Sequence, residues 1–202
     1  MLKLNYQNTR FLISIPSLNY LPKYMNHIQV AFIGRSNSGK SSLLNKLTKQ
    51  KHLARTSKTP GCTKLINLFE VMKNKYLIDL PGYGYARVSK QDKEHWKVMI
   101  IEYIKNNKNL KGLFLLLDIN STINDFDKLI IKLANKKNIS LLILLTKADK
   151  LNISKRKMKL NSTKEVLSNL ITNDNVFVEI VSSIKNIGIE NIRQKLNILF
   201  QS

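Results

Sequence analysis

The sequence predicts an α/β domain in which helices flank a mostly parallel central sheet. Three observations carry this. Short apolar runs such as GLFLLLD (112–118) and SLLILLT (140–146) have the length and composition of strands buried on both faces. They alternate along the chain with longer, mixed segments of helical periodicity. The first such strand runs directly into a loop that uses two of the chain's 7 glycines, and a helix follows at once.

The elements follow in order. Residues 1–26 are read as an N-terminal extension, and 27–202 as the core of a single domain. The extension has no continuous apolar stretch and no small-residue cleavage site, so it does not read as a signal peptide. HIQVAFIG (27–34) reads as a strand and KSSLLNKLTK (40–49) as a helix. QKHLARTSKTPGCT (50–63) is a basic, turn-rich loop. KLINLFEV (64–71) and KYLIDL (75–80) are neighbouring strands joined at 73–75, and PGYGYARV (81–88) is a glycine-bearing loop. KQDKEHWKVMIIEYIKNN (90–107) is a helix with Trp96, Ile100, Tyr103 and Ile104 on its inner face. A strand at 112–118, a helix at 124–138 and a strand plus loop at 140–149 come next. A helix at 154–171, a strand at 175–183 and a closing helix at 187–200 complete the chain. In such a sheet, ligands bind at the carboxyl ends of the strands.

Composition narrows the function classes. The 202 residues and 43% hydrophobic content suit one globular domain with a substantial core. Cys62 is the only cysteine, so no internal disulfide forms and a reducing, cytoplasmic setting is expected. The apolar runs are too short to span a bilayer. Lys and Arg number 34 against 13 Asp and Glu, a net charge of +21. This excess points to a polyanionic partner, nucleic acid first. It also fits a chain rich in lysine, asparagine and isoleucine whose lysines merely face solvent.

The chemistry is concentrated in five places. Gly34, Gly39, Lys40 and Ser41 satisfy G-x-x-x-x-G-K-[ST], with a strand before and a helix after. The glycines let successive N–H groups turn inward around an anion, and the helix N-terminus adds partial positive charge. Lys40 supplies a point charge for the β- and γ-phosphates, and the Ser41 hydroxyl a ligand for Mg²⁺. DLPG places Asp79 to hold Mg²⁺ through water and the Gly82 N–H near the γ-phosphate. TPGCT offers Thr59 and Thr63 as further hydroxyl ligands. LLTKAD places Thr146, Lys147 and Asp149 beyond a buried strand. A carboxylate there accepts from guanine N1–H and the N2 amino group, a donor pair adenine lacks, while the Lys147 stem lies along the base. Ser182 and Ser183 are expected to offer backbone N–H groups to guanine O6. The fold expected is therefore a P-loop NTPase of the Ras-like G-domain type. His27, His52 and His95 have no metal-ligand spacing.

The ordered set GRSNSGKS, TPGCT, DLPGYGYA, TKADK and VSS resembles the translation-factor-like GTPases, and among them the EngB family of bacterial GTPases. The likeness covers almost the whole chain, including LNYQNTRF, RTSKTPG, INLFEV and the tryptophan-bearing helix. It implies GTP hydrolysis to GDP and phosphate, a role in assembly of the large ribosomal subunit, and a part in cell division and septation. Tyr83 stands where the Ras-like GTPases place a water-orienting Gln, so intrinsic hydrolysis is expected to be slow. It implies Ser41 and Thr63 as Mg²⁺ ligands, and Lys40, Thr63 and Gly82 as the groups nearest the reaction. It assigns the phosphates to Gly34, Arg35, Ser36, Asn37, Ser38, Gly39, Lys40 and Ser41. Further GTP contacts fall on Gly61, Cys62, Thr63, Lys64 and Leu65, and on Asp79, Leu80, Pro81 and Gly82. The base falls to Thr146, Lys147, Ala148 and Asp149, with Val181, Ser182 and Ser183. Asn37 matches an asparagine that holds K⁺ in related GTPases. The family has Arg at the position of Cys62, Gln at Lys64 and Arg at Asn120. The expected partners are GTP or GDP and the large subunit or its rRNA, with no membrane insertion and a monomeric chain. The alternatives are a P-loop GTPase of another branch acting on RNA, an ATP-using P-loop enzyme, and an RNA-binding protein with a vestigial site.

Overall fold

The computed structural model describes residues 4–22, 27–54, 65–84, 89–172 and 175–201. Seven strands, β1 (Arg10–Ile15), β2 (Ile28–Gly34), β3 (Ile66–Met72), β4 (Lys75–Asp79), β5 (Leu110–Asp118), β6 (Ser140–Thr146) and β7 (Val176–Ile180), form one sheet in the order β1-β3-β4-β2-β5-β6-β7. Strands β4, β2, β5, β6 and β7 run parallel, and β3 and β1 are added antiparallel at one side. Among the described residues there are five α-helices, α1 (Lys40–Thr48), α2 (Lys90–Asn106), α3 (Asp125–Lys136), α4 (Ile153–Ser168) and α5 (Ile189–Leu199).

The parallel strands are apolar on both faces because both faces are covered. In β2, Val30 and Phe32 point to a layer formed with Leu43, Leu44 and Leu47 of α1 and Ile192 and Leu196 of α5. Ala31 and Ile33 point the other way, into a layer with Trp96, Ile100 and Tyr103 of α2, Ile130 and Ile131 of α3, and Leu167 of α4. The four residues expected on the inner face of α2 are all buried there.

Helix starts are chemically marked. Ser89 caps α2, accepting from Asp92 N–H at 3.0 Å, and Asn152 caps α4, accepting from Lys155 N–H at 2.9 Å. Asn124 and Asp127 form a reciprocal capping box on α3.

The extension is not featureless. RFLISI forms β1, paired with β3 from Arg10↔Glu70 to Ile15↔Ile66. Leu4 and Tyr6 are buried beside α1 and α5, and the Tyr6 hydroxyl donates to Asn197 Oδ1 at 2.8 Å. The last strand is shorter than expected. It stops at Ile180, because Ser182 and Ile187 close a turn through two backbone hydrogen bonds of 3.0 and 3.1 Å. Among the described residues, no helix is long and apolar enough to cross a membrane.

Candidate functional site

The carboxyl ends of β2, β4, β5, β6 and β7 lie along one edge of the sheet, and the phosphate loop, DLPG, TKAD and VSS follow from β2, β4, β6 and β7 in turn. β2 sits between β4 and β5, where the chain connections diverge to opposite sides.

The loop from Gly34 to Ser41 leaves β2 at that point. A Cβ on Gly34 would lie 2.6 Å from Ser38 Oγ and 2.7 Å from the Leu116 carbonyl oxygen, so only glycine fits. Gly39 has open space but a φ of 89°, a left-handed backbone that L side chains resist. Asn37 is also left-handed, with φ 64°. These reversals turn the loop so that α1 begins at Lys40 with its first N–H groups facing the loop mouth.

Lys40 and Asp79, at the end of β4, form a buried ion pair. Asp79 Oδ2 also accepts from Asn67 Nδ2 at 3.2 Å. The donor set fits a magnesium-bound triphosphate. A phosphate oxygen would give Lys40 its counter-charge, and a metal-bound water would give Asp79 a donor. The Ser41 hydroxyl and the Asp79 carboxylate are the hard oxygens Mg²⁺ selects. Leu80 and Pro81 are buried, and Leu80 N–H donates to the Phe32 carbonyl at 3.0 Å, fixing this turn beside the loop. Gly61, Cys62, Thr63 and Lys64 lie outside the described residues, as does Thr59. Leu65, half-exposed, leads into β3.

On the other side of β2, Thr146 ends β6 and its hydroxyl donates to the Ser38 carbonyl at 2.7 Å, tying base side to phosphate side. Lys147 has left-handed backbone, φ 58°, and its ammonium lies 3.0 Å from Asp118 Oδ2 at the end of β5. Burial of Asp118 opposes its ionisation. The Asn120 N–H, Lys147 and Lys150 outweigh that and hold its carboxyl below the ordinary 3.8. Ala148 N–H donates to the Val181 carbonyl at 3.0 Å, joining the TKAD and VSS segments. Asp149 Oδ1 accepts from the Ser182 hydroxyl at 2.5 Å. One expectation needs correction. The Ser182 N–H donates to the Ile187 carbonyl at 3.0 Å in the closing turn, so it is not available to a base oxygen.

Tyr83 follows Gly82 at the place where a water-orienting group is sought. Its ring is buried against Phe126, and its hydroxyl donates to Asp127 Oδ1 at 2.5 Å. Burial, and then Asp127, push its ionisation well above the ordinary value of 10.0. It is no base at neutral pH.

Comparison with known proteins decides the family. A model of the "50S ribosome-binding GTPase" family matches residues 29–147. The "Probable GTP-binding protein EngB" of Salmonella newport is 50% identical over 200 residues, covering 99% of this chain and 94% of its own. The chain belongs to the EngB family of GTPases. The protein of the same name from Salmonella typhimurium is equally similar. Among solved structures, a probable GTP-binding protein EngB matches with a TM-score of 0.66 at 28% identity, over 86% of this chain and 98% of that one. Era of Aquifex aeolicus, bound to GDP and aluminium fluoride, matches with a TM-score of 0.63 at 18% identity, over 85% of this chain and 55% of its own; this likeness is one of fold. The EngB chain described here is thus a GTP-binding GTPase, and an ATP-specific site is set aside.

Three residues that matter to the EngB site were not singled out in the sequence. Asp118, Asp127 and Arg193 act through contacts far apart in the chain. Arg193 of α5 donates to the Lys46 and Leu47 carbonyls at 2.9 and 3.1 Å, closing the carboxyl end of α1 with positive charge.

Proposed function

We propose that this GTPase is a Mg²⁺-dependent switch that attaches to RNA of the large ribosomal subunit in its GTP form and acts in assembly of that subunit. One observation supports it most. A groove of about 590 Å³ between α1 and α5 is lined by Lys46, Lys49, Lys51 and Arg193, with Glu190 as its acidic member. It adjoins the approach to the first switch. There, Asn45 of α1 holds residues 51–54 by bonds to the Lys51 carbonyl and to both the carbonyl and N–H of Ala54, at 2.7–3.1 Å. The family model's own description as ribosome-binding points the same way.

The chain's residues divide the work. Lys40 exchanges Asp79 for phosphate oxygens, and the N–H groups of 37–41 surround the β-phosphate. Ser41 and Thr63 would hold Mg²⁺, which would supply positive charge against the triphosphate. The Gly82 N–H meets the γ-phosphate. Asp149 accepts from guanine N1–H and N2, the Lys147 stem covers the base, and the Ser183 N–H serves O6. Asn37 would help hold a K⁺ ion. Ordering of the switches by the γ-phosphate fixes the basic surface, and hydrolysis releases it. The protein is read as a cytoplasmic monomer, and its part in division and septation as a consequence of ribosome supply.

The test is binding to isolated large subunits at physiological salt, with a non-hydrolysable GTP analogue and with GDP. Tighter binding with the analogue, a steep loss with added salt, and weakening by Lys46→Glu and Lys51→Glu at unchanged nucleotide affinity support the proposal. Equal affinities in the two nucleotide states, or equal binding to unrelated RNA, overturn it.

A further inference from the structure

Asp127 occupies the third position of α3 and is fully buried, which is more than its capping box requires. That box needs only its Oδ2, which accepts from Asn124 N–H at 2.8 Å, and its own N–H, which donates to Asn124 Oδ1 at 2.8 Å. Two further donors reach the same carboxylate from distant parts of the chain. Oδ1 accepts from the Tyr83 hydroxyl at 2.5 Å, and Oδ2 also takes the Arg35 guanidinium. Arg35 belongs to the phosphate loop and donates as well to the Thr122 carbonyl, just before α3, at 2.5 Å.

The same two residues meet through their backbones. Arg35 and Tyr83 form an isolated parallel bridge, with Ser36 N–H donating to the Tyr83 carbonyl at 2.8 Å and Tyr83 N–H to the Gly34 carbonyl at 3.3 Å. Gly82 is drawn against the loop by this arrangement. A Cβ on it would stand 3.3 Å from Ser36 Cα, a tight contact.

We propose that Asp127 is a positioning residue for the γ-phosphate: by holding Tyr83 and Arg35 together, it fixes the Gly82 N–H against the phosphate loop before the nucleotide arrives. This rests on the assignment of Gly82 to the γ-phosphate. Pre-set geometry removes an ordering cost from GTP binding that GDP, lacking the γ-phosphate, does not incur. Tyr83 is suited to the tether because its buried hydroxyl remains a donor throughout the physiological pH range.

Four single variants and one double variant test it, each measured by direct titration with GDP and a non-hydrolysable GTP analogue. Tyr83→Phe removes one hydroxyl and leaves the ring packed. Asp127→Asn keeps the size but loses acceptor capacity. Each is expected to lower the GTP-over-GDP preference by roughly tenfold, the range of a lost hydrogen bond to a charged group, with GDP affinity unchanged. Their combination is expected to cost little more than either alone, since both cut one link. Asn124→Ala removes the side-chain cap of α3 but spares the Tyr83 and Arg35 contacts. It should lower the melting temperature and leave the preference unchanged. An unchanged preference in Tyr83→Phe, or an equal loss in Asn124→Ala, overturns the proposal even if Asp127→Asn does not fold. Gly82→Pro, which removes the N–H itself, separates the two levels. If it leaves the preference intact, the Gly82 assignment itself fails. If it lowers the preference while Tyr83→Phe does not, only the role of Asp127 falls.

Discussion

The Ser182 hydroxyl donates to Asp149 Oδ1 at 2.5 Å, so the carboxylate assigned to guanine is held from the segment that follows β7. Ser182 is fully buried and also receives the Lys185 N–H at 3.1 Å, so it cannot swing away. Asp149 is therefore oriented by a neighbour from another strand end.

Asp149→Asn turns an acceptor into a mixed donor and acceptor. GTP affinity is expected to fall roughly 10- to 100-fold, the scale of a hydrogen-bond loss at a charged group. Xanthosine triphosphate, whose C2 oxygen accepts from the new amide, should gain affinity. Titration of both nucleotides against both proteins checks this. Retention of full GTP affinity would remove Asp149 from the base site.

Lys40→Ala leaves Asp79 buried with only the Asn67 amide as a neighbour. Loss of one partner from a buried pair costs about 3–5 kcal/mol. Urea unfolding without nucleotide should record that loss, and Lys40→Met combined with Asp79→Asn should recover most of it. Neither variant should bind GTP. A Lys40→Ala protein as stable as the parent would mean that solvent already screens the pair.

Hydrolysis should be slow in sodium buffer, because Tyr83 is committed to Asp127 and is no base. Replacing sodium by potassium is expected to raise turnover about tenfold, equivalent to about 1.4 kcal/mol of barrier. Asn37→Ala should abolish that response. Phosphate release assays in the two salts decide it, and indifference to both changes excludes a potassium role.

Asp118 gives the acid limb of stability a defined contribution. Its folded carboxyl ionises below the ordinary 3.8, so its stabilising effect is complete above that value and is lost as pH falls through the lowered one. The melting-temperature gap between the parent and Asp118→Asn should be steady near neutrality and shrink in that acid range. The variant should also weaken guanine nucleotides, since Lys147 loses the group 3.0 Å from its ammonium.

The sheet's parallel strands and the helices between them could be read from sequence because burial on both faces leaves continuous apolar runs, such as LFLLL in β5. The phosphate loop was legible because its function constrains consecutive residues. β1 was not, since an edge strand with Phe11 and Ile13 half-exposed has neither a continuous apolar run nor strict alternation. Asp127 was hidden for another reason. It meets Tyr83 across 44 residues and Arg35 across 92, and a capping box already explains its presence locally. The Ser182 N–H was misassigned because the turn to Ile187 that occupies it has no distinct residue signature.

The bond between Tyr6 and Asn197 joins positions 191 apart, and it bears on how the molecule is made. During synthesis Tyr6 emerges early, yet its resting place lies beside α5, which follows the other described helices in the chain. Leu196, Leu199 and Phe200 of that same region complete the layer that covers β2 and α1. Until they arrive, the reverse side of the phosphate loop's own strand and helix lacks its cover. A nascent chain can thus assemble its α2 and α3 layer early, while a rigid nucleotide seat waits for α5.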